Sequence, residues 1–197
     1  MSTRATEWRY RVLDTPTGGF VLAASSTGEL RTGWSGAWCD DHEGETEWLH
    51  LLPGSLVSDS ELLPELSAKL DQFFRGEIVS FDDVPTPGGS PFQVACWEAC
   101  RAIPRGSMMT YGELAMRAGS TIAAARAAGQ SMRRNPLPII VPCHRVVGTQ
   151  GLHGFAGTSD PASENLAVKQ WLLSMEGAIL AQMPKPTQEE LAGIAAS

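Results

Sequence analysis

The chain has 197 residues, 43% of them hydrophobic and 19% charged, the composition of a globular protein with a real core and a length comfortable for two small domains. No stretch approaches the roughly 20 apolar residues that span a bilayer, and the charged start MSTRATEWRYR lacks the apolar run of a signal peptide. The net charge of −7, taken over the whole chain, argues against a nucleic-acid partner.

In chain order, short apolar runs at 8–13, 19–25 and 30–34 are separated by Thr-Pro-Thr-Gly and Ser-Ser-Thr-Gly, the pattern of a β-meander. An acidic loop follows at 40–47. Leu62, Leu63, Leu66, Leu70, Phe73 and Phe74 then recur at helical spacing up to a stop at Gly76. Strands with one covering helix make a small α/β unit, and Pro85-Thr-Pro-Gly-Gly-Ser-Pro91 is a linker by composition. Past the linker the pattern is helical. Residues 92–102 form a helix ended before Pro104, and 111–118 a second ended by Gly119. Residues 123–133 form a third, capped by Ser120 or Thr121 and broken at Asn135-Pro136. The second and third, joined across Gly-Ser-Thr, match a helix-turn-helix. Leu137-Pro-Ile-Ile-Val-Pro142 reads as a short buried strand, and a last helix covers 164–176 with Gly177 in the stop position. The expected organisation is an N-terminal domain at 1–87, a mainly helical C-terminal domain at 88–178 and a flexible tail at 179–197.

Divided this way, the charge changes meaning. Residues 1–87 hold 6 Lys and Arg against 15 Asp and Glu, a balance of −9, whereas residues 88–178 hold 8 against 5, a balance of +3. Charge asymmetry between halves is the pattern expected when one half meets DNA.

The four cysteines, Cys39, Cys96, Cys100 and Cys143, show neither a CxxC pair nor disulfide-framework spacing, so reduced thiols in a cytoplasmic protein (nuclear in a eukaryote) are expected. Cys96 and Cys100, one helical turn apart, read as core. Cys39, His42 and His50 form no recognisable ligand pattern, so no metal is expected. Cys143 is different. Two prolines frame the apolar run that delivers it into a His144-Arg145 pair, and a thiol is a good nucleophile only as thiolate, which nearby cations or an imidazole favour. Glu176 stands in the last turn of its helix, where an anion opposes the macrodipole. It is either an inconsequential surface residue or the partner that orients His144, completing a nucleophile–base–orienter chain. In Ala123-Ala-Ala-Arg126-Ala-Ala-Gly129 the small residues allow close approach to another surface, and Arg126 projects from the smooth face. That suits a DNA groove with insertion into the base stack. Arg133 and Arg134 read as phosphate contacts.

PCHRV after N-P-x-P, the ARAAG helix before it and LAVKQWLLSMEG after it resemble the O6-alkylguanine-DNA alkyltransferases. Looser similarity extends back through TYGELA, IPRG and PFQVACW to FFRGE, and the meander resembles the family's ribonuclease-H-like domain, so roughly residues 8–178 are covered. The resemblance implies an α/β fold with that small N-terminal domain and a helical, helix-turn-helix C-terminal domain. It implies repair by direct reversal: an alkyl group passes once and irreversibly from O6-alkylguanine, or O4-alkylthymine, to Cys143 after base flipping, without a cofactor. Cys143 would be the acceptor, activated through a water by His144, which Glu176 holds. Asn135 would brace the turn, and Tyr111 would crowd the flipped nucleotide's phosphate and reach the guanine. Arg126 would fill the stack while Ala124, Ala125, Ala127, Gly129 and Arg133 meet the minor groove and its phosphates. Backbone carbonyls of Cys143 and Val146 would accept from the guanine amino group. Pro138, Val146, Phe155 and Ala156 would wall the pocket, with the 158–165 loop at its mouth. Phe155 and Ala156 stand where Tyr and a small hydroxyl residue are common, and Gln130 where Gly is often found. The partner would be double-stranded DNA, met by a monomer. Other readings are a non-catalytic alkylated-DNA recognition protein, which would lack the cysteine, a Cys/His hydrolase, and a helix-turn-helix transcription regulator. The regulator would need a recognition helix richer in base-reading side chains.

Overall fold

The computed structural model describes residues 6–35, 47–149, 151–152 and 164–178. The chain divides into two compact units between Phe81 and Asp82, ahead of the Pro- and Gly-rich 85–91 stretch. In the first unit β1 (Glu7–Thr15), β2 (Gly18–Ser25) and β3 (Leu30–Trp34) form the antiparallel meander, and β4 (Ser55–Ser58) adds parallel to β1, in the order β3-β2-β1-β4. The first hairpin turns at Gly18, whose φ of 95° favours glycine.

Leu13 pairs with Phe20, and Phe20 with Trp34, so these three share one face. Helix α2 (Pro64–Phe74) covers it, with the Phe74 ring 5.0 Å from Phe20 and 6.2 Å from Trp34. The opposite face is covered as well: Trp8, Val21 and Ala23 pack with Leu49, near the end of α1 (Glu47–His50), and with Leu52 and Leu56. Burial on both faces explains why β2 reads as the continuous apolar run FVLAA rather than an alternation. Each large side chain fully buried there contributes about 1.5–3 kcal/mol.

In the second unit α3 (Pro91–Arg101) starts at a capping box between Ser90 and Gln93 with Pro91 in its first turn. It buries Cys96, Trp97 and Cys100. The Trp97 indole donates to the Ser131 carbonyl at 2.9 Å, which ties α3 to α5 (Ala125–Arg133). Helix α4 (Tyr111–Arg117) has its own capping box, Thr110 with Glu113. Two-residue strands β5 (Met109–Thr110) and β6 (Val146–Val147) pair in parallel, joining the start of α4 to the segment that follows Cys143. Helix α6 (Glu164–Met175) closes the described residues. None of the described helices is long and apolar enough to cross a membrane.

Two local expectations change. The third helix of the C-terminal half is entered through a 3-10 turn, Ile122–Ala124, and neither Ser120 nor Thr121 caps it: Thr121 has the extended backbone of a cap but makes no side-chain cap bond. The tight i+3 turn takes up the first backbone groups instead. Nor is 137–142 a strand. It is a turn closed by Val141 N–H to the Leu137 carbonyl at 2.8 Å and an isolated bridge between Pro138 and Val141. Two prolines remove two ladder donors from the run, and a buried apolar sequence cannot by itself distinguish a strand from a compact turn.

Candidate active site

The turn that carries Cys143 is pinned at its base by Asn135. Its amide nitrogen donates to the Val141 carbonyl at 2.8 Å, and its oxygen accepts from Leu137 N–H at 3.0 Å. Between them Ile139 sits at φ 73°, a left-handed conformation that costs a β-branched residue about 1–3 kcal/mol and persists only where packing imposes it. Here Leu137, Ile139, Ile140 and Val141 are all buried. Cys143 then opens a single 3-10 turn, Cys143–Arg145, so three chemically distinct side chains leave one turn in different directions.

Cys143 is buried. Burial pushes its thiol above the ordinary value, against the lowering influence of an Asn135 hydrogen bond, the Lys169 charge and backbone hydrogen bonds from Cys143 and His144. The cations near Cys143 therefore do not by themselves make a thiolate, as the sequence suggested; desolvation outweighs them. The thiol must lose its proton to a base.

His144 is positioned for that. Its side chain is 1% exposed, and Nε2 lies 3.2 Å from Glu176 Oε1. Burial lowers the imidazole's pKa, opposed by Glu176 and assisted by the Arg145 and Lys169 charges, so His144 is neutral at neutral pH. An ionised carboxylate can only accept, so the proton of the neutral ring is assigned to Nε2, the nitrogen that faces it, and Nδ1 is the unprotonated nitrogen.

Arg145 turns away from the thiol and grips Glu176 in a fork: Nε donates to Oε2 at 2.9 Å and Nη2 to Oε1 at 2.8 Å, while Nη1 donates to the Ile103 carbonyl at 2.7 Å. Burial alone would raise the Glu176 pKa, but hydrogen bonds and charges from His144 and Arg145 outweigh it and hold the carboxyl at about 2. The surface alternative for Glu176 is excluded, since its side chain is 0% exposed. The 103–106 segment buttresses the same helix end. Arg105 donates to the Met175 carbonyl at 3.3 Å, and Gly106, at φ 76°, leaves the Glu176 carbonyl room that a Cβ would close to 3.1 Å.

Lys169 was not singled out from the sequence. It is 0% exposed, and its ammonium donates to the carbonyls of Val146 at 2.7 Å and Leu152 at 3.1 Å. It lies 6.0 Å from the centre of the Tyr111 ring. Burial brings its pKa down to about 7, against the upward pull of Cys143 and Cys100. Its position was a readable signal, because Leu166, Lys169, Leu172, Leu173 and Glu176 recur along one helical face. The Val146 carbonyl has a second lone pair and can still accept from another donor.

Tyr111 opens α4, and burial, with the charges of Cys143 and Cys100, raises its pKa, so it remains a phenol donor. Gly129 faces it: a Cβ there would meet the ring at 3.7 Å, ordinary contact for a helix lying directly against the tyrosine. On α5, Arg126, Ala127, Gln130 and Arg133 are exposed, as is Arg134 at its C-cap, Ala125 and Gly129 are half-buried, and Ala124, just before the helix, is half-buried too. The smooth face is therefore narrower than the sequence implied. Asn135, Cys143, His144 and Glu176 come together with Tyr111 in electrostatic reach, and Pro138 and Val146 are buried beside them in the chain. Phe155, Ala156, the 158–165 loop apart from Glu164 and Asn165, Cys39 and His42, and the 179–197 tail lie outside the described residues.

Residues 91–178 match the DNA-binding domain family of 6-O-methylguanine DNA methyltransferase. A methylated-DNA–protein-cysteine methyltransferase of Methanosarcina acetivorans is 42% identical over 127 residues, 64% of this chain and 76% of that protein. The constitutive methylated-DNA–protein-cysteine methyltransferase of Bacillus subtilis is 32% identical over 168 residues, 85% of this chain and 94% of its own length. Among solved structures, Mycobacterium tuberculosis OGT in complex with DNA is similar with a TM-score of 0.64 at 28% identity, covering 93% of this chain and 99% of that one. A thiol beside a locked His–Glu pair, within a likeness that runs nearly the whole length of the Bacillus protein, leaves one conclusion: the chain belongs to the methylated-DNA–protein-cysteine methyltransferase family.

Proposed function

We propose that this chain repairs DNA by taking an alkyl group from O6 of guanine, or from O4 of thymine, onto Cys143. The observation that carries the reading is the chain of contacts from the Cys143 turn through His144 to a Glu176 held in the Arg145 fork. His144 Nδ1 takes the thiol proton through a water. The sulfur attacks the alkyl carbon, the carbon–oxygen bond breaks, and the departing guanine gains a proton while Tyr111 stabilises its developing charge. A thioether is not water-labile, so each molecule acts once.

An O6-alkyl group lies inside the paired duplex, so the base must be flipped out. In this reading residues 88–178 act as a helix-turn-helix domain whose α5 runs along the minor groove. Arg126 fills the vacated stack; Ala124, Ala125, Ala127 and Gly129 permit close approach, and Arg133 holds a phosphate. Pro138, Val146, Phe155 and Ala156 wall the pocket. Residues 1–87 are a ribonuclease-H-like domain, 179–197 a dispensable tail, and the protein works as a monomer in the cytoplasm.

Arg126→Ala tests the DNA half of this mechanism. Transfer from duplex DNA is expected to fall about 10- to 100-fold, the scale of an unstacking cost left uncompensated, while reaction with free O6-benzylguanine, which needs no flipping, is largely kept. Equal losses on both substrates would assign Arg126 to the fold instead. Glu176→Gln tests the chemical half: single-turnover transfer should slow about 100-fold with little change in DNA affinity. A wild-type rate across neutral pH would remove Glu176 from the mechanism.

A further inference from the structure

The exposed residues of α5 and its C-cap, Arg134, form one stripe, Arg126, Ala127, Gln130, Arg133 and Arg134, at the i, i+1, i+4, i+7, i+8 spacing of a single helix face. Ala128, Ser131 and Met132 point to the core. Gln130 is the centre of that stripe, one turn from Arg126 on one side and from Arg133 and Arg134 on the other. Its side-chain amide makes no hydrogen bond to any described residue, and its neighbour Gly129 lies against the Tyr111 ring. An unengaged amide thus stands between cations, next to the residue that borders the base pocket.

The chemistry of this amide differs from everything else on the stripe. Arginine only donates, and alanine does neither, whereas glutamine both donates and accepts. The minor-groove edge of A·T offers acceptors alone, while G·C adds the guanine 2-amino donor. Only a group with both functions can be satisfied twice by a guanine edge, donating to N3 and accepting from the 2-amino group. We propose that Gln130 reads the base pair beside the lesion in the minor groove and favours repair next to G·C. This rests on the reading that α5 lies along that groove.

The test uses the full-length protein and duplexes with O6-methylguanine flanked, on one side at a time, by G·C, A·T, inosine·C or 7-deazaguanine·C. Inosine lacks the 2-amino group, and 7-deazaguanine is altered only in the major groove. Rates are compared as ratios within one preparation, so the active fraction cancels. For the wild type, G·C and 7-deazaguanine·C on one side should react about fivefold faster than inosine·C or A·T, the scale of one hydrogen bond. Gln130→Ala should bring that ratio near one. The same ratio in wild type and variant, or no ratio in the wild type, overturns the assignment of Gln130; if Arg126→Ala still impairs repair of DNA, the groove reading survives. A rate that responds to 7-deazaguanine and not to inosine overturns both, because it puts α5 in the major groove.

Discussion

Replacing Arg145 by leucine is expected to cost about 3–5 kcal/mol of stability, the usual consequence of stripping one partner from a buried ion pair. The fork supplies two of the hydrogen bonds to Glu176, whose side chain has no exposure to water, and a third to the Ile103 carbonyl. Without it the carboxylate keeps, among the described residues, only the 3.2 Å contact from His144 and responds by binding a proton. A neutral carboxyl no longer favours a charged imidazole, so transfer should slow at least as far as in Glu176→Gln. Arg145→Lys restores the charge but not the planar fork and should fall between. Urea melts with single-turnover rates read both effects. A loss below about 1 kcal/mol would mean that the fork behaves as a surface pair does.

Acid should unfold the protein through the same cluster. The Glu176 pKa is about 2 in the folded chain against an ordinary 4.5. A depressed carboxyl contributes stability that is complete above 4.5 and is lost as pH falls towards 2, on the order of 3 kcal/mol. His144 acts in the same direction at higher pH: its folded pKa is below 6.5, so the unfolded chain binds that proton first and stability falls as pH drops through 6.5. Lys169, at about 7 against 10.5, opposes folding increasingly as pH falls from 10.5 to 7. All three signs agree, and none of these groups favours folding at low pH. Urea melts at pH 5 and pH 2.5 should show a larger loss for wild type than for Glu176→Gln. Equal losses would place the acid sensitivity elsewhere.

The parts of this molecule that were readable from sequence are those set by short-range rules. The meander followed from turn residues between apolar runs, α2 from apolar spacing, and α3 and α4 from their stops. Cys143, His144 and Glu176 were readable because each is out of place by a local criterion: a thiol framed by prolines, a histidine beside it, and an anion at a helix C-terminus. What the sequence could not supply was the partner each would find. Glu176 against its helix dipole required a cation, but only the fold brings Arg145 to it across 31 residues and turns that guanidinium away from Cys143. Lys169 was hidden because a lysine is ordinarily a surface residue, although its register sets it among leucines. The 137–142 turn was misread because buried apolar residues serve either conformation, and the deciding bonds come from the Asn135 side chain.

The role proposed for Cys143 is that of an acceptor that acts once. Duplex DNA carrying O6-methylguanine labelled in the methyl group, titrated against the protein and followed by digestion and mapping of the label, tests it most directly. The expected result is one methyl group per chain, held as S-methylcysteine at Cys143. Label on another residue, Cys100 included, or more than one group transferred per protein molecule, would contradict it.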